Sequence, residues 1–380
     1  EAPLPRATAA DEGVERHLGH RRAAAGPEFE VADIAGLLGR LLARHLAEIR
    51  QLKGDFALLR SSRAAELQAL HRLKRVVVSH EVPVPAGLGE RRQIGVHVLE
   101  PGFDGLAHLA FARFGVPRAA PGQQELNLYY KDGLPAADTA FLYKTGAKEI
   151  ALQHGYIASW MTKPFIESSA SGSHFHVSLI DKKTGKNAFN DPDGQYGLTE
   201  LARNFLAGVL KHARANTLFT APTINCYKRY RVNSFAPHSA TWGMENRTIG
   251  VRLKGCRGES THFENRLACG GANPYLLALS TLAAGLEGIR SKPALPDPIT
   301  GIAYEMDDVP RLPFSLDEAI AAFEQDTDLH AVLHPEFVKL VIAVKKFEAN
   351  MAREKFADYG TPEFNNRVDP WEWDYFMELL

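Results

Sequence analysis

Apolar and polar residues alternate in several short runs along the second two thirds of the chain. The clearest run is 174–180, HFHVSLI, in which His174, His176 and Ser178 would lie on one face of a strand and the apolar residues between them on the other. The apolar face can pack on a core, whereas the polar face has to meet water, a ligand or a metal ion. Alternation and turn residues predict further strands at 124–130, 157–161 and 248–254, with a turn at 181–186.

Apolar residues also recur at helical spacing over longer stretches, and glycine or proline marks several of their ends. The predicted helices are 31–50, 61–75, 135–154, 198–215, 274–290, 316–324 and 336–353. Strands and helices follow one another without a regular βαβ rhythm. This order favours the α+β class over a doubly wound parallel sheet.

The composition of the chain changes near residue 120. Before that point the chain has 15 arginines and 2 lysines, and after it 12 arginines and 15 lysines; the first asparagine is Asn127 and the first tyrosine is Tyr129. We therefore divide the chain into an irregular N-terminal part, 1–120, and a main part, 121–380. Three interpretations of the first part stay open: a helical region rich in Arg, Ala and Leu, a diverged part of one domain, or a segment translated from a shifted reading frame of a GC-rich gene.

Length, charge and cysteine usage narrow the class of protein. The chain has 380 residues, of which 45% are hydrophobic, and a net charge of −1, so it is expected to form one large or two ordinary globular domains. Its charge favours neither nucleic acid nor an anionic membrane as a partner. No apolar run reaches transmembrane length, and the start lacks a signal-peptide pattern. The three cysteines lack metal-site spacing, which suits a reducing compartment, and a cytoplasmic location is predicted.

Charged and polar residues share one face on several predicted strands. They are Glu28 with Glu30, Glu125 with Asn127 and Tyr129, Thr248 with Arg252, and Glu264 with Arg266. Each group alone is more simply a solvated strand face. Together, carboxylates and a histidine suit Mg²⁺ or Mn²⁺, and arginines beside them suit phosphate or carboxylate groups, as phosphoryl transfer requires. The sequence has no Walker-type GxxxxGK[ST] motif, so the chain is not a P-loop enzyme.

The remaining histidines and the C-terminal tryptophans have simpler interpretations. His212, His238 and His262 are expected to be surface or structural residues, because a single histidine is a weak signal for a ligand site. The segment 371–373, WEW, is expected to pack the C-terminus rather than to bind a ligand.

Four sequence blocks, in this order and at these separations, resemble one known family. They are PGQQE at 121–125, the strand with His174 and His176, NCYKRY followed by APHSATWGMENR within 225–247, and FENRL followed by ANPYL within 263–276. They resemble the catalytic domain of glutamine synthetase and its γ-glutamyl-amine ligase relatives, over 121–380. The stretch SFAPHSATWGMENR is more similar to the branch that acts on amines and polyamines. The resemblance implies a glutamine synthetase-like catalytic domain, with a curved antiparallel sheet flanked by helices.

The resemblance also implies a metal site of glutamates and one histidine. Glu125 matches a metal-binding glutamate, and His174 and Glu264 match ligands of a second metal ion. Glu28 and Glu30 resemble the paired strand glutamates that complete the two sites. The implied metal is Mg²⁺ or Mn²⁺.

Further positions match the family's nucleotide and substrate residues. His176 and Ser178 match residues near the nucleotide, and His176 is expected to face a phosphate group. The resemblance assigns roles to four arginines. Arg229 and Arg266 hold the substrate glutamate and its activated γ-carboxyl group, and Arg247 and Arg252 lie near the ATP phosphates. The residues implied to act in catalysis are Arg247, Arg266 and Arg229.

The implied reaction is an ATP-dependent ligation that belongs to nitrogen metabolism. The γ-carboxylate of glutamate attacks the γ-phosphate of ATP and gives γ-glutamyl phosphate. Ammonia or, by preference in this branch, an amine then displaces phosphate. The implied partners are glutamate, ATP and a small amine, together with further copies of the chain in a ring-shaped homo-oligomer.

Three departures from the family pattern bear on this interpretation. Arg118 stands where the family has another metal-binding glutamate, and Phe235 stands where glutamine synthetase has a glutamate that is thought to help with ammonium. A bulky Phe235 suits an amine better than ammonia. No small β-grasp domain is recognised before the catalytic domain. The alternative is therefore a catalytically inactive or truncated glutamine synthetase-like protein with a structural or regulatory role.

Overall fold

The residues that the structure describes all lie after residue 111. The computed structural model describes residues 112–117, 123–153, 156–231, 234, 236–255 and 257–380. Several features of the sequence analysis lie outside these residues: the helices predicted at 31–50 and 61–75, and Glu28, Glu30, Arg118 and Phe235.

A short antiparallel pair of strands begins the described chain. It consists of β1 (Ala112–Pro117) and β2 (Gln124–Leu128), and its register shifts between Arg113 and Val116. Glu125 lies in β2, opposite Val116.

A four-stranded sheet carries most of the polar strand faces that the sequence indicates. Its strands are β3 (Phe175–Val177), β4 (Trp242–Met244), β5 (Val251–Lys254) and β6 (His262–Asn265), in the spatial order β3-β6-β5-β4. β6 pairs antiparallel with β3 on one side and with β5 on the other, in a register that sets Glu264 opposite both His176 and Arg252. Because residues directly opposite one another project to the same face, these three side chains share one side of the sheet.

Helices form a large part of the remaining described chain. They are α1 (Gly133–Gln153), α2 (Glu200–Lys211), α3 (Ala213–Thr220), α4 (Pro274–Ser291), α5 (Leu316–Gln325), α6 (Thr327–His330), α7 (Pro335–Lys355), α8 (Pro362–Asn365) and α9 (Pro370–Phe376). None of the helices in the described ranges is both long and apolar enough to cross a membrane.

The core lies between α2, α4 and the apolar side of the sheet. Phe263 of β6 points away from Glu264 and packs against Phe189 and Phe205, with ring centroids 4.9 and 6.3 Å apart. Phe205 belongs to α2 and lies so close to Gly285 of α4 that a methyl group there would come within 2.1 Å of its ring. The core therefore packs against the apolar face of β6, and the polar face of the strand lies on the opposite side of the sheet.

The structure confirms the α+β prediction and corrects several details. The sheet is mixed rather than wholly antiparallel, because the loop 245–250 returns the chain so that β4 and β5 run parallel. The helix predicted over 198–215 is two helices, which meet at His212, where φ is −93° and ψ is 5°. The segment 157–161 is not a strand, since the Trp160 N–H donates to the carbonyl of Leu380 instead of to a neighbouring strand.

Candidate active site

Glu264 is the centre of a cluster of charged side chains on the polar face of the sheet. The residue is 2% exposed, and its carboxylate contacts one histidine and two arginines. Oε1 is 3.1 Å from His174 Nδ1 and 3.0 Å from Arg266 Nη1, and Oε2 is 2.5 Å from Arg252 Nε. We call Glu264, His174, Arg252 and Arg266 the sheet-face cluster.

The sequence brings these four residues together through strand geometry. Glu264 lies in β6 and Arg266 directly follows the strand, so two residues apart they project to the same side. Arg252 comes from the neighbouring strand β5, and His174 precedes β3 by one residue. The cluster thus joins three strands, and each of its members was a predicted site residue.

The charges of the cluster decide the ionisation of Glu264. Burial by itself raises the pKa of a carboxyl group, but hydrogen bonds from His174 and Arg252 and the charge of Arg266 outweigh it. The pKa of Glu264 therefore lies well below its usual range, and the side chain is an anion throughout the physiological pH range. Truncation of this carboxylate would leave two largely buried arginines without their partner.

His174 is held in one orientation by Glu264. An ionised carboxylate only accepts hydrogen bonds, so Nδ1 carries the proton, and the lone pair of the neutral ring lies on Nε2. Burial is the main reason why the pKa of His174 is lowered. A methyl group added to Gly172 would lie 3.7 Å from this Nε2 and 3.2 Å from Nη2 of Arg229. A side chain at position 172 would therefore press against a histidine nitrogen and an arginine.

His176 contacts a histidine that the sequence analysis did not include in the site. Its Nδ1 lies 3.0 Å from Nε2 of His262, whose own Nδ1 lies 2.6 Å from the carbonyl of Ser260. Burial is the first cause that lowers the pKa of His176, to about 4. His262 was expected to be a surface or structural residue. The signal that could have identified it is its position, since it is two residues before Glu264 and so shares the polar face of β6.

Arg229 lies below the site rather than on its surface. It is 3% exposed, and its Nη1 donates to the carbonyls of Leu267 and Ala268 at 2.9 and 3.0 Å while its Nη2 donates to the carbonyl of Arg266 at 3.0 Å. These hydrogen bonds connect the segment 266–268, which follows β6, to the segment that carries Arg229. Its Nη2 also lies close to Gly172, 3.2 Å from the place that a methyl group would take.

Three other predicted site residues do not belong to the sheet-face cluster. Arg247 is exposed and lines a cavity of about 410 Å³ between the segment after β4 and the loop 298–301, and its carbonyl accepts a bond from Arg266. Ser178 follows β3 and is exposed. Glu125 is half-buried in β2, in the separate two-stranded sheet.

The described residues fit a divalent metal ion only in part. Within the ranges that the structure describes, no group of three or more His, Cys, Asp or Glu side chains is arranged to hold a metal ion. His174 does fit, because an anchored Nδ1 and a free Nε2 are typical of metal-binding histidines. In the arrangement observed, Glu264 anchors that histidine and two arginines, and both its oxygens are engaged.

Comparison of the sequence with models of protein families identifies the family of this chain. The model of the glutamine synthetase catalytic domain matches residues 112–364. The chain belongs to the glutamine synthetase family. The predicted family membership is thereby confirmed, and the matched range contains the whole sheet-face cluster.

Curated relatives from two kinds of enzyme match this glutamine synthetase domain at similar identity. Glutamate–isopropylamine ligase of a Pseudomonas species is 36% identical over 68% of this chain and 54% of its own length. γ-Glutamylanilide synthase of an Acinetobacter species is 37% identical over 69% and 52%. Glutamine synthetase of Rhizobium meliloti is 38% identical over 63% and 57%. The chain spans about half the length of these relatives.

Solved structures are similar to the same domain. GmaS in complex with ADP is 29% identical, covers 72% of this chain and 61% of its own, and superposes with a TM-score of 0.60. GmaS without ligand is 31% identical, covers 71% and 60%, and also gives a TM-score of 0.60.

Proposed function

We propose that the chain catalyses the ATP-dependent ligation of glutamate to an amine, through γ-glutamyl phosphate. The observation that carries this proposal is the sheet-face cluster, in which one buried carboxylate holds two arginines and a histidine at 2.5–3.1 Å on a glutamine synthetase fold. The relatives named as glutamate–isopropylamine ligase and γ-glutamylanilide synthase support an amine as the second substrate.

The cluster suits a reaction in which negative charge builds up on a phosphoryl group. Arg252 bonds to Glu264 through Nε, and Arg266 through Nη1. An arginine has five N–H donors in a fixed fork, so each keeps further donors for an anionic ligand. Donors that are already oriented in a partly buried site stabilise a developing charge without reorganisation. We assign to both arginines the binding of the phosphoryl oxygens or the substrate carboxylate.

A divalent cation, Mg²⁺ or Mn²⁺, is part of the proposal. Of the predicted ligands in the described chain, His174 would hold it through Nε2 and Glu125 is a further proposed ligand. Glu28 and Glu30, which lie outside the described residues, are proposed to complete the site. The cation would offset the charge of the ATP phosphates. Glu264 would act as a ligand or, as its present contacts favour, as the anchor of His174.

A phosphate-release assay with purified chain tests the proposal. ATP, Mg²⁺ or Mn²⁺ and glutamate are supplied with ammonia, methylamine, isopropylamine or aniline in parallel, and the γ-glutamyl product is identified by mass spectrometry. We expect phosphate release that requires glutamate, metal and acceptor together, with an amine as the best acceptor. Arg266→Lys, which keeps the charge but not the bidentate fork, should lose most of this activity.

Two results of that assay would contradict the proposal. If no γ-glutamyl product forms with any of the four acceptors, the chain is not a ligase of this kind. Ammonia as the best acceptor would contradict the preference for an amine, to which the bulky Phe235 also points.

A further inference from the structure

His174 and His176 are anchored in the same way. The two residues are two positions apart, His176 in β3 and His174 directly before it, and each directs Nδ1 at a side chain of β6: His174 at Glu264, 3.1 Å away, and His176 at His262, 3.0 Å away. Glu264 and His262 are themselves two positions apart. One pair of anchors on β6 therefore orients one pair of histidines beside it.

The hydrogen bonds of His262 fix where its proton lies. The carbonyl oxygen of Ser260 can only accept a hydrogen bond, so the nitrogen 2.6 Å away, Nδ1 of His262, must carry a proton. A neutral imidazole has one N–H group, so the lone pair of His262 lies on Nε2. Imidazole side chains are ordinarily neutral at pH 8.

The tautomer of His262 in turn determines the tautomer of His176. Because Nε2 of His262 is an acceptor, Nδ1 of His176, which is 3.0 Å away, must be the donor. The neutral ring of His176 then has its lone pair on Nε2, as the ring of His174 does. The ring centroids of His176 and His262 are 5.1 Å apart at an interplanar angle of 44°, so the two rings also contact one another.

We propose that His262 is a positioning residue that holds His176 in the Nδ1–H tautomer, so that Nε2 of His176 offers an electron pair to a ligand on the polar face of the sheet. The chain of bonds from Ser260 to His262 to His176 carries this inference. It gives His262 a role beyond the structural one that its sequence context indicates.

The proposal changes the chemistry expected of His176. A phosphate oxygen is itself an acceptor, so it cannot be bound by an unprotonated nitrogen. His176 is instead suited to a ligand hydroxyl group, which would donate a hydrogen bond to Nε2, or to a metal cation, which Nε2 would coordinate. This consequence rests on the proposed function, in which His176 lies near the nucleotide, whereas the tautomer itself does not.

Long-range ¹H–¹⁵N NMR of ring-labelled histidine tests the tautomer directly, in the full chain at pH 8 without nucleotide or metal. His176→Gln identifies the signals of His176. We expect Nδ1 of His176 in the protonated range of ¹⁵N shifts and Nε2 in the unprotonated range. The reverse assignment would overturn the proposal.

Two substitutions of His262 separate positioning from simple packing. Gln has an oxygen that can accept from Nδ1 of His176, whereas Lys has donors only. We expect His262→Gln to retain the Nδ1–H tautomer and His262→Lys to move the proton to Nε2, with both variants folded by circular dichroism. An unchanged tautomer in His262→Lys would overturn the proposal. The phosphate-release assay decides the proposed function separately, because these spectra require no catalysis.

Discussion

Nζ of Lys228 lies 2.5 Å from Oε1 of Glu372, and solvent reaches neither side chain. Lys228 is adjacent to Arg229 in the chain, whereas Glu372 belongs to α9, beyond the range of the family match. Glu372 also accepts from Asn225, at 2.9 Å, and Asn225 in turn bonds to the backbone of Lys163. The C-terminal helix is thus tied to the segment that positions Arg229.

This buried ion pair makes a prediction about stability. Removal of one partner leaves the other charge buried and unpaired, which costs about 3–5 kcal/mol. We expect Glu372→Gln and Lys228→Met each to lower the free energy of unfolding by an amount near this range. The double variant should lose much less than the sum, because it buries no unpaired charge. Urea denaturation of the wild type, the two single variants and the double variant measures these free energies. Losses of stability that add up in the double variant would contradict the pairing.

His212 makes the stability depend on pH. Its ring is completely buried where α2 meets α3, with Nδ1 2.7 Å from Asp326 and Nε2 2.8 Å from Glu287. Burial lowers the pKa of His212, but the hydrogen bonds to the two carboxylates outweigh burial, and the pKa is raised. The stabilisation is therefore complete below the unfolded pKa of about 6.5 and is lost as pH rises through the higher folded pKa.

We expect the difference in unfolding free energy between the wild type and His212→Gln to be largest near pH 6 and to shrink toward pH 9. Denaturation of both proteins at several pH values measures it, and groups that titrate identically in the two proteins cancel. A difference that is constant or grows with pH would contradict the raised pKa.

Two glycines allow α2 and α4 to approach each other closely. A methyl group on Gly208 would lie 2.2 Å from the carbonyl oxygen of Ala284, and one on Gly288 would lie 2.3 Å from that of Asn204. Backbone atoms cannot move aside as a flexible side chain can. We expect Gly208→Ala to lower the free energy of unfolding by about 1–3 kcal/mol, because the helices must separate.

A third helical glycine provides the matched control. Gly146 lies inside α1, and a methyl group there would meet no atom within 4 Å. Gly146→Ala should raise stability by about 0.5–1 kcal/mol, since alanine favours the helix. Thermal denaturation of both variants tests the pair, and equal effects would show that helix propensity, not the close approach, governs both sites.

Glu264 makes a prediction about metal dependence. Glutamine at this position would set an amide against Arg252 or Arg266 and remove the charge that anchors His174. Loss of such an anchor typically costs about 10–100-fold in metal affinity or activity. We expect Glu264→Gln to raise the Mn²⁺ concentration for half-maximal phosphate release by a factor in this range. Glu336→Gln, on the exposed side of α7, is the control. An unchanged metal requirement would remove Glu264 from the metal's surroundings.

Much of the local structure followed from the sequence. The helix predicted at 274–290 is observed at Pro274–Ser291, because a long apolar run begins with an Asn–Pro cap whose side chain accepts from Tyr275 and Leu276. The polar face of His174 and His176 followed from alternation alone. The division of 198–215 into two helices did not, because it depends on Glu287 and Asp326, which are more than 70 residues away in the chain.

The sequence by itself determined the α+β class, the face on which the histidines lie and the family, because periodicity and short motifs are properties of neighbouring residues. Only the tertiary structure decided which groups meet: Glu264 with two arginines, His176 with His262, and Lys228 with Glu372. These contacts join strands and helices far apart in the chain. Strand register and helix packing create them, and no local pattern records either.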